Sequence, residues 1–143
     1  MATQLESVDA LLGLPAGTAS SPLDLAHSIV EGLPVGAVDR IARAVAPGDS
    51  HFKWRIVPKA TLERRRKARS RLTTEEGNRV SRLLKVYSLG LEIYQDPAKV
   101  QAFLTRPHMM LDGETPLEVA LATGPGADLV VNLLGRAAYG GGV

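Results

Sequence analysis

The sequence contains no cysteine among its 143 residues, which excludes disulfide bonds, thiolate nucleophiles and cysteine-ligated metal sites. No uncharged apolar run approaches the roughly 18 residues needed to span a bilayer. The first Lys or Arg is Arg40, so the N-terminus lacks the basic region of a signal peptide. We therefore expect a cytoplasmic protein with no membrane partner.

Aromatic residues are scarce, with one Trp, three Tyr and two Phe, so the apolar content comes mainly from Leu, Ala and Val. This composition favours helix, and no short window shows the β-branched alternation of a strand. Breaks at Pro and Gly divide the chain into helical segments with apolar residues at i, i+3 and i+4. The predicted fold class is therefore all-α.

Helix-start signals give this prediction its detail. Thr73 with Glu76, and Thr115 with Glu118, form two capping boxes, and Asp96-Pro97 combines a cap with a proline at the first helical position. A short helix is expected from Asp49 or Ser50, with Phe52 and Ile56 on one face. Leu62, on the following helix, is expected to face inward. Phe103 and Leu104 are expected to anchor the helix that begins at Asp96-Pro97. Gly124-Pro125-Gly126 is expected to break the chain.

Residues for catalysis or cofactor binding are not apparent in the sequence. His27, His51 and His108 lie far apart, and none has a second ligand at i+3 or i+4, so no metal site is predicted. Glycine clusters lack the pattern of a dinucleotide or phosphate loop. Acidic residues lie at helix starts, where capping accounts for them. We expect neither a cofactor nor an enzymatic activity.

Basic residues are concentrated in one segment. Nine of the seventeen Lys and Arg lie between Lys53 and Arg71, with Glu63 as the single acid among them. Residues 1–71 carry eleven basic against seven acidic residues, and residues 72–143 carry six against eight. Such a cluster indicates a polyanion partner, although a solvated helix face gives the same pattern.

Two short helices around Pro58, the second rich in Arg, have the arrangement of a helix-turn-helix, whose second helix enters the DNA major groove. The turn Val57-Pro58-Lys59 lacks the usual glycine. The residues expected to contact operator DNA, mainly at phosphates, are Lys59, Arg64, Arg65, Arg66 and Lys67.

From Gly32 onward the spacing resembles the antitoxins of RES-type toxin-antitoxin pairs, the Xre/MbcA/ParS family. In the first half the resemblance rests on Thr61-Leu62, Arg64-Arg65-Arg66, Leu72-Thr73, Glu75-Glu76, Arg79 and Arg82. In the second half it rests on Ala102-Phe103-Leu104, Pro107, Leu111, Gly113, Thr115-Pro116-Leu117, Thr123, Gly126, Val130, Leu133, Arg136, Tyr139 and Gly140. Two residues depart from the family pattern: Gly77 stands where Ser is common, and Phe103 where Trp is usual.

The resemblance implies an Xre-like helix-turn-helix domain followed by a helical toxin-binding domain, and it adds Thr61 to the expected DNA contacts. It also implies an antitoxin that covers the active site of an NAD-consuming or ADP-ribosylating RES toxin. Such antitoxins dimerise, form a hetero-oligomer with toxin, and repress their own operon. The expected divisions are a flexible arm at 1–22, the helix-turn-helix domain at 23–71 and the toxin-binding domain at 72–143.

The C-terminal segment is expected to block the toxin. Gly140, Gly141 and Gly142 allow close approach to a partner surface. A carboxylate at Val143 would pair with toxin cations that hold the NAD phosphates. Tyr139 is expected to end the last helix. Arg136 would pair with an acidic residue of the toxin. A frayed helix end is the alternative for this segment.

Two other function classes remain open. One is a free-standing helix-turn-helix transcriptional regulator whose C-terminal half binds a ligand or dimerises. The other is a helical adaptor that does not bind DNA. A neighbouring gene encoding an NAD-consuming toxin distinguishes the antitoxin from both.

Overall fold

The computed structural model describes residues 7–139, and within this range every regular element is helical, as the sequence predicted. Its α-helices are α1 (Val8–Leu12), α2 (Pro22–Glu31), α3 (Gly36–Val45), α4 (Lys53–Ile56), α5 (Lys59–Ala68), α6 (Thr74–Tyr94), α7 (Pro97–Thr105), α8 (Pro116–Ala122) and α9 (Gly124–Ala138). A 3-10 helix, Met109–Leu111, lies between α7 and α8. None of these helices is both long and apolar enough to cross a membrane.

The chain divides into two compact units, and the division falls inside α6. The first unit contains the chain up to Arg43 together with Pro47–Ser81, and the second contains Ala44–Ala46 together with the chain from Arg82 onward. The predicted boundary at residue 72 therefore lies ten residues before the change in packing at Arg82 (82 − 72), because the start of α6 packs within the first unit. The boundary of an independently folding domain stays a prediction.

The first unit has its core where α1 to α5 and the start of α6 meet. Its fully buried side chains include Leu12, Leu33, Val38, Ile41, Ile56, Val57, Leu62 and Val80. Phe52 and Ile56 are both buried, as their spacing predicted, and Leu62 faces inward. The main chain of Leu72 donates to the carbonyl of Leu33 at 2.9 Å, which fixes the segment that leads into α6.

The described part of the expected N-terminal arm, residues 7–22, differs from the sequence-based expectation. Leu11 and Leu12 of α1 are buried, and the Asp9 carboxylate accepts hydrogen bonds from the backbone N–H groups of Gly17 and Ala19 at 2.8 and 2.7 Å. The two Asp9 bonds join residues eight and ten positions apart, so the local sequence pattern did not predict them.

Both predicted capping boxes are present. Thr73 Oγ1 accepts from Glu76 N at 3.1 Å, while Glu76 Oε1 accepts from Thr73 N at 2.9 Å. Thr115 and Glu118 exchange the same two bonds at the start of α8. Asp96 caps α7 through the N–H of Ala98. These caps satisfy backbone donors that a helix leaves free in its first turn, so local sequence sets these three helix starts.

Two local predictions were wrong. The helix before Pro58 begins at Lys53 without a side-chain cap, because the Asp49 carboxylate accepts from His51 N and closes a turn instead. Gly124-Pro125-Gly126 begins α9 rather than only breaking the chain: Thr123 caps it, and proline suits the first helical turn. Only four residues, Lys53–Ile56, therefore form the helix before the turn.

The second unit is built from the rest of α6 with α7, α8 and α9. Its buried side chains include Leu83, Val86, Val100, Leu104, Leu117, Val130, Leu133 and Leu134. Leu104 is an anchor as predicted, whereas Phe103 is only half-buried and lies between the rings of Tyr94 and His108. Arg82, half-buried on α6, donates to the carbonyls of Ala120 and Leu121 at the end of α8.

Candidate functional site

Helix α5 places its basic side chains on different faces, so the six residues expected at DNA have different surroundings. Leu62 is buried and fixes the inward face, and Thr61 is half-buried beside it. Arg64 and Lys67 are exposed, and neither pairs with an acidic residue in the part of the chain that the structure describes. They border a shallow surface depression of about 550 Å³ lined by Ala60, Glu63, Arg64, Lys67 and Ala68.

Arg65 is held within the protein. Its guanidinium Nε lies 3.0 Å from Glu76 Oε1 and its Nη2 donates to Oε2 at 3.0 Å, with side-chain exposures of 19% for Arg65 and 9% for Glu76. This two-point contact joins α5 to the capping box at the start of α6. The pairing leaves Arg65 little freedom to reach a nucleic acid.

Burial by itself raises the pKa of Glu76, but hydrogen bonds from Thr73 and Arg65, with the charge of Arg65, outweigh that effect. The net result is a pKa below the ordinary value of 4.5. Glu76 is therefore ionised at neutral pH and holds both a helix cap and a guanidinium.

Arg66 and Lys59 also have partners. Arg66 forms an ion pair with Asp39 on α3, whose other carboxylate oxygen lies 3.5 Å from Lys53 Nζ. Lys59 Nζ lies 4.8 Å from the centre of the Trp54 ring, a distance typical of a cation–π contact. Both residues are exposed at their ends, so these contacts position the charges without removing them from solvent.

Three further basic residues support the helix ends around this region. Arg71 donates to the carbonyl of Gly32 at the end of α2, and Arg79 donates to the carbonyl of Ile56 at the end of α4. Arg69 ends α5 in the left-handed conformation. The basic cluster thus contains both structural residues, represented by Arg65 and Arg71, and an exposed pair, Arg64 and Lys67.

The expected toxin-binding residues lie at the end of the second unit. Arg136 is exposed on α9, and its Nη1 lies 3.5 Å from the thioether sulfur of Met110. Tyr139 ends α9 with 92% of its surface exposed. The other predicted residues, Gly140, Gly141, Gly142 and Val143, lie outside the described residues.

Sequence reasoning did not select the two methionines beside Arg136. Met109 is 91% exposed and Met110 is 57% exposed, although both are large and apolar. The signal in the sequence is that two methionines are consecutive and directly precede Leu111, which is buried. Leu129 on α9 is a further large apolar residue that is exposed.

Among residues 7–139 there is no group of three or more His, Asp or Glu side chains that is arranged to hold a metal ion. Each histidine has its own surroundings: His27 is exposed on α2, His51 contacts Trp54, and His108 caps the 3-10 helix.

Comparisons with known proteins agree with this division into two parts. Residues 24–85 match the family described as the antitoxin Xre-like helix-turn-helix domain. Residues 89–140 match the antitoxin Xre/MbcA/ParS C-terminal toxin-binding domain. The chain is also 29% identical over 141 residues to a protein named antitoxin Xre from Yersinia enterocolitica, covering 97% of this chain and 93% of that protein.

Proposed function

The chain belongs to the Xre/MbcA/ParS-type antitoxins, and from that premise we propose that it neutralises a RES-type, NAD-consuming or ADP-ribosylating toxin by covering the active site. The match of residues 89–140 to a toxin-binding domain carries this proposal. In the proposed assembly the antitoxin is a homodimer that forms a hetero-oligomer with toxin, and the complex represses its own operon through the helix-turn-helix.

The segment from Gly140 to Val143 is proposed to enter the toxin's active site. It follows directly on the exposed Tyr139, and four residues reach at most about 14 Å when fully extended. Glycines let a main chain pass close to a surface that a side chain would not fit. The helices would then supply most of the affinity, and the segment would supply inhibition.

Deleting residues 140–143 tests this division of roles. We expect the shortened protein to bind the RES-domain toxin encoded by the neighbouring gene with nearly unchanged affinity but to fail to restore growth when the toxin is expressed. Growth assays and pull-down of the same pair give the two readouts. If the shortened protein still restores growth fully, the inhibitory surface lies on the helices before Gly140.

We propose further that Arg64 and Lys67 contact operator DNA, because they are the exposed cations of α5 that pair with no acidic residue in the described range 7–139, while Arg65 holds the helix in place. Replacing both by Ala should make the negative slope of log affinity against log salt shallower by about 1.8, since each phosphate contact contributes about −0.9. Titration of the DNA upstream of its own gene at several salt concentrations measures this slope.

Arg106→Ala is the matched control for this measurement, because Arg106 is an exposed arginine in the second unit. It should leave the slope unchanged. An unchanged slope for the double variant would contradict DNA contact by these two residues and would support the alternative that the basic side of α5 is only a solvated helix face.

A further inference from the structure

One side of the second unit combines exposed apolar side chains with an arginine that pairs with no carboxylate of residues 7–139. Leu129, Asn132, Arg136 and Tyr139 follow one another at i, i+3, i+7 and i+10 along α9, so they lie on one side of the helix, and all four are exposed. Met110 contacts Arg136, which joins the 3-10 helix to this side. We call these four residues with Met109 and Met110 the Met–Arg face.

The methionines are presented by a well-anchored turn. Leu111 is buried, and His108 Nδ1 accepts from Met110 N at 3.1 Å. The His108 main chain bonds with Glu114, Leu111 and Gly113, and Asp112 and Gly113 adopt positive φ angles of 56° and 84°. Because this network fixes the backbone, the outward position of Met109 and Met110 is set by the fold, and little backbone ordering is needed on binding.

The composition of this face is that of a protein interface. Met, Tyr and Arg are enriched in interfaces relative to other surfaces, and Tyr and Arg are frequent among the residues that dominate binding energy. Thioether side chains also adapt their shape to a partner. The face is therefore suited to a protein partner with an apolar surface.

Charge further restricts the partner. No carboxylate in residues 7–139 pairs with Arg136, whose described contact is the weakly accepting sulfur of Met110. A carboxylate from a partner would form a stronger, charge-assisted bond with the guanidinium. The complementary surface is thus an apolar patch that carries an Asp or Glu near its centre.

We infer that the Met–Arg face is the surface on which the toxin docks, with a toxin carboxylate on Arg136 and toxin apolar side chains on Met109, Met110 and Tyr139. This inference rests on the proposed function and adds to it the surface that provides affinity. Tyr139 of this face immediately precedes Gly140 in the sequence, and the proposed function assigns inhibition to residues 140–143.

Binding of the full-length protein to the purified neighbouring toxin, measured by calorimetry, tests the inference. Arg136→Glu should weaken the affinity by at least about 30-fold, as expected for a residue that dominates an interface, and Met109→Ser by about tenfold. Leu23→Ser is the matched control, because Leu23 is 64% exposed but lies on α2 in the first unit. It should bind like the unaltered protein.

The outcomes separate the two proposals. If the unaltered protein binds and both face variants bind equally well, the docking surface is overturned while the antitoxin function stands. If the unaltered protein does not bind the toxin, the proposed function fails and this inference fails with it. If the variants change the mass of the free protein in light scattering and leave toxin affinity unchanged, the face joins two copies of this chain, which also overturns the inference.

Discussion

Replacing Arg65 by Ala is expected to lower the free energy of unfolding by about 3 kcal/mol, because it leaves the buried Glu76 carboxylate without its cation. The substitution should also weaken the cap of α6, because the ionised carboxylate of Glu76 accepts the hydrogen bond from the Thr73 main chain. Urea unfolding followed by circular dichroism gives the value directly.

The neighbouring Arg64→Ala is the matched control, because it removes an exposed guanidinium from the same helix and should change stability by less than about 0.5 kcal/mol. Equal and small effects for the two variants would mean that the Arg65–Glu76 pair contributes nothing to folding.

The same pair gives stability a defined pH dependence. Because the pKa of Glu76 is lower in the folded protein than its ordinary value of 4.5, its contribution is fully present above about pH 4.5 and is lost as the pH falls through the folded-state value. Glu76→Gln should therefore be less stable at pH 7 and lose less stability than the parent protein between pH 5 and pH 3. If the free energy of unfolding falls equally with pH for both proteins over this range, Glu76 is not the source of the pH dependence.

Gly126→Ala is expected to destabilise the second unit by about 3 kcal/mol, the upper part of the range for overpacking. A Cβ at this position would lie 2.1 Å from the carbonyl oxygen of Val119 and 3.0 Å from Thr123 Oγ1. This carbonyl belongs to the main chain of α8, so the steric clash with the added Cβ can be relieved only if α8 and α9 move apart. Thermal unfolding of the full-length variant measures the loss.

Gly135→Ala supplies a control of opposite sign in the same helix. A Cβ at Gly135 meets no atom within 4 Å, and Ala is favoured over Gly in a helix by about 1 kcal/mol. This variant should be more stable than the parent protein. If Gly126→Ala were also stabilising, the close approach of α8 and α9 would be incorrect.

Local signals in the sequence predicted the helices well. The capping boxes at Thr73 and Thr115 and the start at Asp96-Pro97 were identifiable because their hydrogen bonds join residues three or fewer positions apart. The inward position of Leu62 followed from its spacing. These features depend on neighbours along the chain, so the sequence contains the information directly.

Contacts between distant residues were not predictable in the same way. Arg64 and Arg65 are adjacent and chemically identical, yet Arg65 pairs with a residue eleven positions away while Arg64 faces solvent. Gly77 was identified only as a departure from the family pattern, but a Cβ there would lie 3.1 Å from Ile29 Cγ2, so glycine permits close packing of α2 on α6. Such assignments require the tertiary arrangement of each unit.

The composition of the candidate partner surface was also only partly predictable from the sequence. Arg136 and Tyr139 were selected through family resemblance, whereas the exposure of Met109 and Met110 emerged only once Leu111 was seen to be the buried residue of the 3-10 helix. Three consecutive apolar residues, Met109, Met110 and Leu111, do not reveal which of them face solvent.

The most direct test of the proposed antitoxin function is to titrate the purified full-length protein into the proposed RES-type toxin, sought in the neighbouring gene, while following the loss of NAD. We predict that the rate of NAD consumption falls in proportion to added protein and reaches background near the equivalence point. An unchanged rate in the presence of excess protein would contradict the account and favour a free-standing helix-turn-helix regulator.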